Sequence, residues 1–210
     1  MTELVLARHG QTAWNIEEVF RGRTDIELDS TGLRQAELLA DYLTERKIEA
    51  VYSSPLQRAL KTANAIASRH KLDAIITQAL NDLSFGEWEG LPVTEVRKRY
   101  PALFQEWQER PHLVKIPGAD SLDSVTQRAM ALVDSVISRY RETVVLVSHR
   151  VVHKVLILAL LGLDNSHFWT IKLDTAAITT FSYDNSRWVL TGHNDTSYLR
   201  PLQKEATRDF

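Results

Sequence analysis

The sequence predicts an α/β fold, a three-layer sandwich in which a mostly parallel central sheet carries helices on both faces. Short apolar runs rich in β-branched residues alternate along the chain with longer segments whose apolar residues recur at helical spacing. The run TVVLV at residues 143–147 is continuous, as expected for a central parallel strand buried on both faces. At 210 residues the chain can bury one substantial core. We therefore expect a single domain over residues 1–210, with a small lid-like insertion at residues 84–120.

The elements follow from these patterns in chain order. Apolar runs bounded by polar or turn residues predict strands at residues 3–7, 49–52, 74–77, 143–147, 178–183 and 188–191. Helical spacing predicts helices at residues 31–46, 56–69, 93–109 with a break at Pro101, 121–140 and 151–162. Residues 14–31 are polar and irregular and predict a long loop over the site. The polar tail from His193 onward is expected on the surface or mobile.

The pattern of the first of these helices predicts both its cap and its buried face. Ser30 or Thr31 is expected to cap its N-terminus, because hydroxyl side chains accept hydrogen bonds from the free amides there. The apolar residues at helical spacing predict one buried face, formed by Leu33, Ala36, Leu39, Ala40 and Leu43.

Composition and charge exclude several function classes. The 25 Lys and Arg residues against 27 Asp and Glu give a formal net charge of −2, so nucleic acid is not expected as a partner. No cysteine is present, which excludes disulfides, thiolate metal sites and cysteine nucleophiles. The most apolar stretch, residues 151–161, contains His153 and Lys154 and is too short to span a bilayer, so no membrane partner is expected. The first residues lack the pattern of a secretory signal, and we expect a cytoplasmic protein.

The stretch around His9 carries the strongest signal for chemistry. His9 leaves the carboxyl end of the first predicted strand, where open α/β sheets receive ligands. Arg8 supplies a permanent cation with a planar donor fork suited to phosphate, and Gly10 lets the backbone approach a ligand closely. These three residues indicate a nucleophile inside an anion-binding site.

Three further residues follow predicted strands and are expected at the same rim of the sheet. They are Arg58, Asp82 and His149. Arg58 lies in the first turn of a predicted helix, where the helix dipole disfavours a cation unless an anion binds there. The alternative is that this arginine points into solvent. Two histidines, two arginines and one carboxylate fit phosphoryl transfer through a phosphohistidine better than other chemistries.

Two of those other chemistries lack their sequence signals. A metal site would need a spacing such as His-Glu-x-x-His or an acidic cluster, and neither occurs, so we expect no metal and no cofactor. A serine-hydrolase triad is weakly supported, because the Gly-x-Ser-x-Gly elbow is missing.

Five blocks of the sequence together resemble the histidine phosphatase superfamily, in its phosphoglycerate mutase-like branch. In order they are RHGQTAWN (8–15), YSSPLQRALKTA (52–63), LNDLSFGEWEG (80–90), PGADSLDSVTQR (117–128) and VLVSHR (145–150). The resemblance covers almost the whole chain and implies an α/β sandwich. It implies that His9 accepts the phosphoryl group, that Arg8, Arg58 and His149 hold it with help from Asn15, and that Asp82 protonates the leaving group.

Three positions depart from the usual pattern of this family. Asp82 stands where glutamate is usual, so its carboxyl is one methylene shorter. Arg21, before Gly22, stands where glutamine is common, and Arg150 stands where a small residue is frequent. None of these changes removes a catalytic group. We expect Asn15, Arg21, Gly22 and Arg150 to contact substrate, with Arg21 pairing with a second anionic group.

The leading functional hypothesis is a metal-independent phosphatase of small phosphate monoesters, including phosphorylated acids such as phosphoserine or phosphoglycerate. The expected partner is a small phosphorylated metabolite, and a homodimer is left open. One alternative is a 2,3-bisphosphoglycerate-dependent mutase, which returns the phosphoryl group to its substrate. True mutases of the family generally carry longer insertions than residues 90–117 provide. Another alternative is a non-catalytic binding module, which the presence of both His9 and His149 disfavours.

Overall fold

The structure is a computed structural model that describes the backbone of residues 2–205 and the side chains of residues 2–202. Its centre is a six-stranded sheet with the strand order β3-β2-β4-β1-β5-β6. The strands are β1 (Thr2–Arg8), β2 (Ile48–Ser53), β3 (Ala74–Ile76), β4 (Thr143–Ser148), β5 (Ile178–Asp184) and β6 (Arg187–Asp195). The first four are mutually parallel where they pair, and β5 and β6 are antiparallel. The predicted mostly parallel sheet is confirmed.

Helices cover both faces of the sheet. They are α1 (Ala13–Ile16), α2 (Ser30–Tyr42), α3 (Gln57–Arg69), α4 (Val93–Arg99), α5 (Pro101–Glu109), α6 (Leu122–Arg139), α7 (Arg150–Leu160) and α8 (Arg200–Glu205). Val5 and Ala7 of β1 pack with α2 and α3, whereas Leu4 and Leu6 pack with α6 and α7. This alternation follows from the two-residue period of a strand and gives the three predicted layers. No helix within residues 2–205 is long and apolar enough to cross a membrane.

The carboxyl ends of three neighbouring strands meet at one rim. In the parallel register of β1 and β4, Arg8 lies opposite Ser148, and the amide of His9 donates to the Ser148 carbonyl at 3.0 Å. The amide of Ser54, just after β2, donates to the Val147 carbonyl at 3.1 Å. His9 and His149 therefore leave adjacent strands side by side, as the sequence predicts.

The start of α2 differs from the prediction. Asp29, not Ser30 or Thr31, caps the helix, because its carboxylate accepts the Gly32 amide at 2.7 Å. Leu33, predicted as core, is 46% exposed. The reason is a close backbone contact between Gly32 and Gly10. A Cβ added to Gly10 would lie only 2.4 Å from the carbonyl oxygen of Gly32. This contact turns the first helical turn towards the His9 loop and leaves Leu33 on the outside.

The segments predicted as an open loop and a loose tail are more ordered than expected. Residues 14–31 begin with part of α1 and are tied down where Phe20 exchanges backbone hydrogen bonds with Gly90 and Leu91. For residues 193–202 the predicted surface location is confirmed except at Leu199, which is buried, and β6 continues to Asp195 where a tail was expected. The cause is continued pairing of β6 with β5. The tail prediction for residues 206–210 falls outside the described residues.

Candidate active site

His9 is held as a neutral imidazole with one nitrogen available for attack. Its side chain is 1% exposed, and Nδ1 lies 2.7 Å from the Gly10 carbonyl oxygen. Because a carbonyl can only accept, Nδ1 carries the proton and Nε2 keeps its lone pair. Burial, followed by the charges of Arg58 and Arg8, holds the pKa of His9 well below its usual 6.5. The ring is therefore unprotonated at neutral pH.

His149 lies beside His9, with the two ring centroids 5.2 Å apart. Its Nδ1 accepts the Nε–H of Arg58 at 3.3 Å, so in the neutral ring Nε2 carries the proton and donates to the Ser54 hydroxyl at 2.8 Å. Burial, followed by the charge of Arg58, keeps the pKa of His149 well below its usual value.

Arg58 is fully buried at the centre of the cluster. Its Nη1 donates to the Thr24 carbonyl at 2.8 Å, and its Nη2 donates to the Gly22 carbonyl at 2.9 Å and to Asp82 Oδ2 at 3.2 Å. The alternative in which this arginine points into solvent is therefore wrong. Five N–H groups in a rigid fork suit such a position, where several acceptors converge.

Arg8 reaches the same cluster from the end of β1. Its Nη1 donates to the Leu173 carbonyl at 2.8 Å, while its buried Nε has no hydrogen-bond partner among residues 2–205. Burial, with smaller contributions from Arg150 and Arg21, lowers the pKa of Arg8 to about 9. The guanidinium is still charged at neutral pH and has donor capacity that the protein does not use.

Asp82 is the carboxylate of the cluster and is 6% exposed. Its Oδ1 accepts the Leu83 amide at 2.9 Å, and its Oδ2 lies 3.5 Å from Nδ1 of His149. Burial raises the pKa of Asp82, and the cations Arg58 and Arg21 partly offset that rise. A buried carboxyl with a raised pKa is suited to hold and deliver a proton.

Two arginines that the sequence analysis missed fix the backbone of Asp82. The Asp82 carbonyl accepts Nε of Arg23 at 3.3 Å and Nη2 of Arg128 at 3.1 Å. Arg23 is itself anchored by Asp120 at 2.7 Å, and Arg128 also donates to the Ala79 carbonyl at 2.7 Å. No sequence signal marks these residues, because both act through a main-chain oxygen that every residue has.

A cleft of about 550 Å³ opens beside the cluster. Its lining includes Arg8, Asn15, Arg21 and Arg150 but not His9, Arg58, Asp82 or His149. Arg8 and Arg21 connect the cleft with the cluster, since the charges of both act on His9. No group of three or more His, Asp or Glu side chains within the described part of the chain is arranged to hold a metal ion.

The predicted substrate-binding residues occupy different places around this cleft. Arg21 donates to the Trp14 carbonyl at 3.1 Å, and its buried Nε has no partner among residues 2–205. Burial lowers the pKa of Arg21 to about 10. Asn15 uses its Oδ1 to accept the Thr12 amide at 2.9 Å. Gly22 is not among the residues that line the cleft, and its carbonyl accepts a hydrogen bond from Nη2 of Arg58.

The geometry thus joins an unprotonated nitrogen nucleophile, buried guanidinium groups and a carboxyl that can carry a proton. Guanidinium groups stabilise the charge on the equatorial oxygens of a phosphoryl group during transfer. A carboxyl with a raised pKa provides the proton that a departing oxygen needs. The cluster is equipped for phosphoryl transfer to His9.

Comparisons with known proteins agree with this geometry. Residues 4–196 match the family model described as the histidine phosphatase superfamily (branch 1). Phosphoserine phosphatase 1 of Hydrogenobacter thermophilus is 36% identical over 207 residues, which cover 98% of both chains. Two crystal structures of phosphoserine phosphatase from Entamoeba histolytica superpose with a TM-score of 0.85 and cover 95% of this chain and all of theirs. One is a mutant with phosphoserine bound at 31% identity, and the other contains 3-phosphoglyceric acid at 32% identity.

Proposed function

The chain belongs to branch 1 of the histidine phosphatase superfamily, and we propose that it hydrolyses small phosphate monoesters through a phosphohistidine formed on His9. The observation that carries the proposal is the hydrogen bond from Nδ1 of His9 to the Gly10 carbonyl at 2.7 Å. It fixes the tautomer that leaves Nε2 free to attack phosphorus. The protein is a phosphomonoester hydrolase, as its relatives named phosphoserine phosphatase are.

In the first step, Nε2 of His9 forms an N–P bond as the P–O bond to the leaving group breaks. Arg8 and Arg58 donate to the equatorial oxygens and offset their charge, and the nearby His149 assists. The carboxyl of Asp82 gives its proton to the leaving oxygen, which departs as an alcohol.

In the second step, water attacks the phosphohistidine. Asp82, now a carboxylate, takes a proton from that water, the N–P bond breaks, and inorganic phosphate leaves. The electron pair of the N–P bond returns to Nε2, and Asp82 is protonated again. One carboxyl therefore serves as acid and then as base.

The charges of the site favour a substrate with a second anionic group. Four guanidinium groups, those of Arg8, Arg21, Arg58 and Arg150, outnumber the two carboxyl groups that act on them, those of Asp82 and Asp174. With Asp82 protonated, as the first step requires, a phosphate dianion leaves one of the positive charges of these groups uncompensated. Arg21 has an unpaired buried Nε beside the proton donor, so it is placed to bind a carboxylate on the leaving group, such as that of phosphoserine or phosphoglycerate.

A substrate screen tests this function. We expect release of inorganic phosphate from several phosphorylated metabolites, resistance to EDTA, and inhibition by vanadate, which resembles the trigonal transition state. Activity that EDTA abolishes and a divalent metal restores would contradict the scheme. Phosphoryl transfer between phosphoglycerates that requires 2,3-bisphosphoglycerate, without release of phosphate, would indicate a mutase instead.

The role of Arg21 is tested by Arg21→Gln. We expect kcat/KM to fall about tenfold for phosphoserine relative to p-nitrophenyl phosphate, because a partly desolvated charge-assisted hydrogen bond contributes roughly 1.5–3 kcal/mol. Equal losses for both substrates would show that Arg21 does not select a carboxylate.

A further inference from the structure

Trp169 is an exposed tryptophan in a cleft whose lining also includes four arginines, the acid Glu18, several aromatic rings and a few polar and aliphatic residues. Its side chain is 40% exposed, whereas the neighbouring Phe104 and Trp107 are 5% and 3% exposed. An exposed large aromatic ring in a concave site is a common feature of ligand binding.

The indole is held in a fixed orientation. Its Nε1–H donates to the Trp107 carbonyl at 2.8 Å, and the rings of Trp107 and Phe168 pack against it edge-on at 5.5 and 4.9 Å. Nζ of Lys154 lies 4.7 Å from the ring centroid. A ring fixed on several sides offers a preformed surface, so binding costs it little side-chain entropy.

Trp169 shares one wall of the cleft with Arg150. Lys154, which contacts the indole, lies four residues after Arg150 in α7, and residues four apart occupy the same helix face. Arg150 also lines the cleft, and the carboxylate whose charge acts on its buried guanidinium is that of Asp82. This wall therefore offers a cation next to an apolar ring surface.

The size of the cleft agrees with a larger leaving group. Its volume of about 550 Å³ lies within the range of about 300–1,000 Å³ found for pockets of drug-sized ligands. A phosphorylated three-carbon acid is smaller than this volume and would leave part of the cleft unfilled.

We propose that Arg150 and Trp169 form a leaving-group subsite that selects phosphate monoesters in which a sugar-type ring carries a second anionic group. The inference rests on the proposed phosphatase function and narrows its substrate class. In such a substrate the anionic group pairs with Arg150, whereas the carboxylate of a smaller acyclic acid pairs with Arg21, and the apolar face of the ring lies on the indole. Asn15, on the rim of the same cleft, can bind a ring hydroxyl.

The test uses four substrates that combine the two features. Glycerol 3-phosphate has neither a ring nor a second anion, 3-phosphoglycerate has the anion, glucose 6-phosphate has the ring, and glucuronic acid 1-phosphate has both. We expect the wild-type protein to have its highest kcat/KM with glucuronic acid 1-phosphate. We define the ring preference as the ratio of two kcat/KM values, that for a ring substrate divided by that for an acyclic substrate. Trp169→Leu should lower this ratio about three- to tenfold, the range expected for loss of a ring contact.

Two further variants make the result specific. Trp169→Phe keeps an aromatic surface and should restore part of the ratio. Trp188→Leu is the matched control, since Trp188 is a partly exposed tryptophan of β6 that does not line the cleft, and it should leave the ratio unchanged. If the protein hydrolyses these esters but Trp169→Leu does not alter the ratio, the proposed subsite is wrong and the phosphatase function stands. Failure to hydrolyse any of the four esters would overturn the phosphatase function as well.

Discussion

Nε of Arg58 donates to Nδ1 of His149 at 3.3 Å, and this contact determines the protonation of the second histidine. Since Nδ1 accepts, the proton of the neutral ring lies on Nε2, which faces Ser54 at 2.8 Å. A buried arginine thus sets the tautomer of one histidine, while its other donors hold the loop at Gly22 and Thr24 and the carboxyl of Asp82.

Arg58→Lys tests whether the planar arrangement of the guanidinium donors, and not only the positive charge, contributes to catalysis. An ammonium keeps the charge but cannot donate to His149, Gly22, Thr24 and Asp82 from one plane. We expect kcat/KM to fall roughly 30- to 1,000-fold, which corresponds to about 2–4 kcal/mol of transition-state stabilisation. Arg69→Lys, at the exposed end of the same helix, is the control. A loss of less than about threefold in Arg58→Lys would mean that charge alone is sufficient.

Asp82→Asn tests the assignment of the general acid. An alkyl leaving group needs a proton and p-nitrophenolate does not, so kcat/KM should fall about 10²- to 10⁴-fold with glycerol 3-phosphate and far less with p-nitrophenyl phosphate. Glu87→Gln, at an exposed side chain, is the control. Equal losses on the two substrates would show that Asp82 is not the acid.

The pH dependence follows from the raised pKa of Asp82. The acid must be protonated, so kcat/KM for the alkyl ester is full below this pKa and falls as the pH rises through it. In the Asp82→Asn variant, the alkyl-ester profile should lose this descending limb. Persistence of the limb in that variant would assign it to another group.

Arg128→Met tests whether the clamp on the Asp82 carbonyl positions the acid. A small displacement of Asp82 lengthens the path of its proton, so we expect about a tenfold loss of kcat/KM with glycerol 3-phosphate and little loss with p-nitrophenyl phosphate. Arg128→Lys, which keeps the charge and one nitrogen that can donate to the Asp82 carbonyl, should recover part of the loss. Arg139→Met in the last turn of the same helix is the control. A uniform loss on both substrates in Arg128→Met would indicate a purely structural role.

His153→Leu tests how the buried histidine His153 contributes to the pH dependence of the free energy of unfolding. His153 is fully buried, and neither ring nitrogen makes a well-formed hydrogen bond among residues 2–205. Burial, followed by Arg8, lowers the pKa of His153 to about 3. The unfolded chain, with a pKa near its usual 6.5, therefore binds this proton first, and stability falls as the pH drops below about 6.5.

The magnitude follows from these two values. Between pH 8 and pH 5 the protonation of His153 in the unfolded chain removes about 2 kcal/mol of stability. Urea unfolding at both pH values measures the loss of unfolding free energy between pH 8 and pH 5. In His153→Leu this loss should be smaller by about 2 kcal/mol than in the wild-type protein. In His167→Leu, whose side chain is exposed, it should not change. An unchanged difference between the two pH values would contradict the low pKa.

The fold and the central cluster were predictable because their signals are local. Each strand is a short apolar run, and His9 and His149 directly follow two of them. Once the sheet is parallel, these strand ends must meet at one rim. Arg58 was also predictable, because the helix dipole disfavours a cation in the first turn of α3 unless an anion binds there.

The features that the sequence did not reveal depend on contacts between distant residues. Arg23 and Arg128 donate to the Asp82 carbonyl across 59 and 46 residues of sequence. Every residue has a backbone oxygen, so the sequence cannot show which one is bound. Leu33 turns outward because of the contact between Gly32 and Gly10. Asp29, Ser30 and Thr31 are all good caps, so composition alone could not select among them.

The most direct test of the central claim is identification of the phosphoenzyme. The protein is mixed with a ³²P-labelled substrate, quenched in alkali within milliseconds, digested, and the labelled peptide is sequenced. We expect one phosphoryl group per chain, on His9, stable in alkali and labile in acid, and absent from His9→Ala. Label on any other residue, or undiminished turnover by His9→Ala, would contradict phosphoryl transfer through His9.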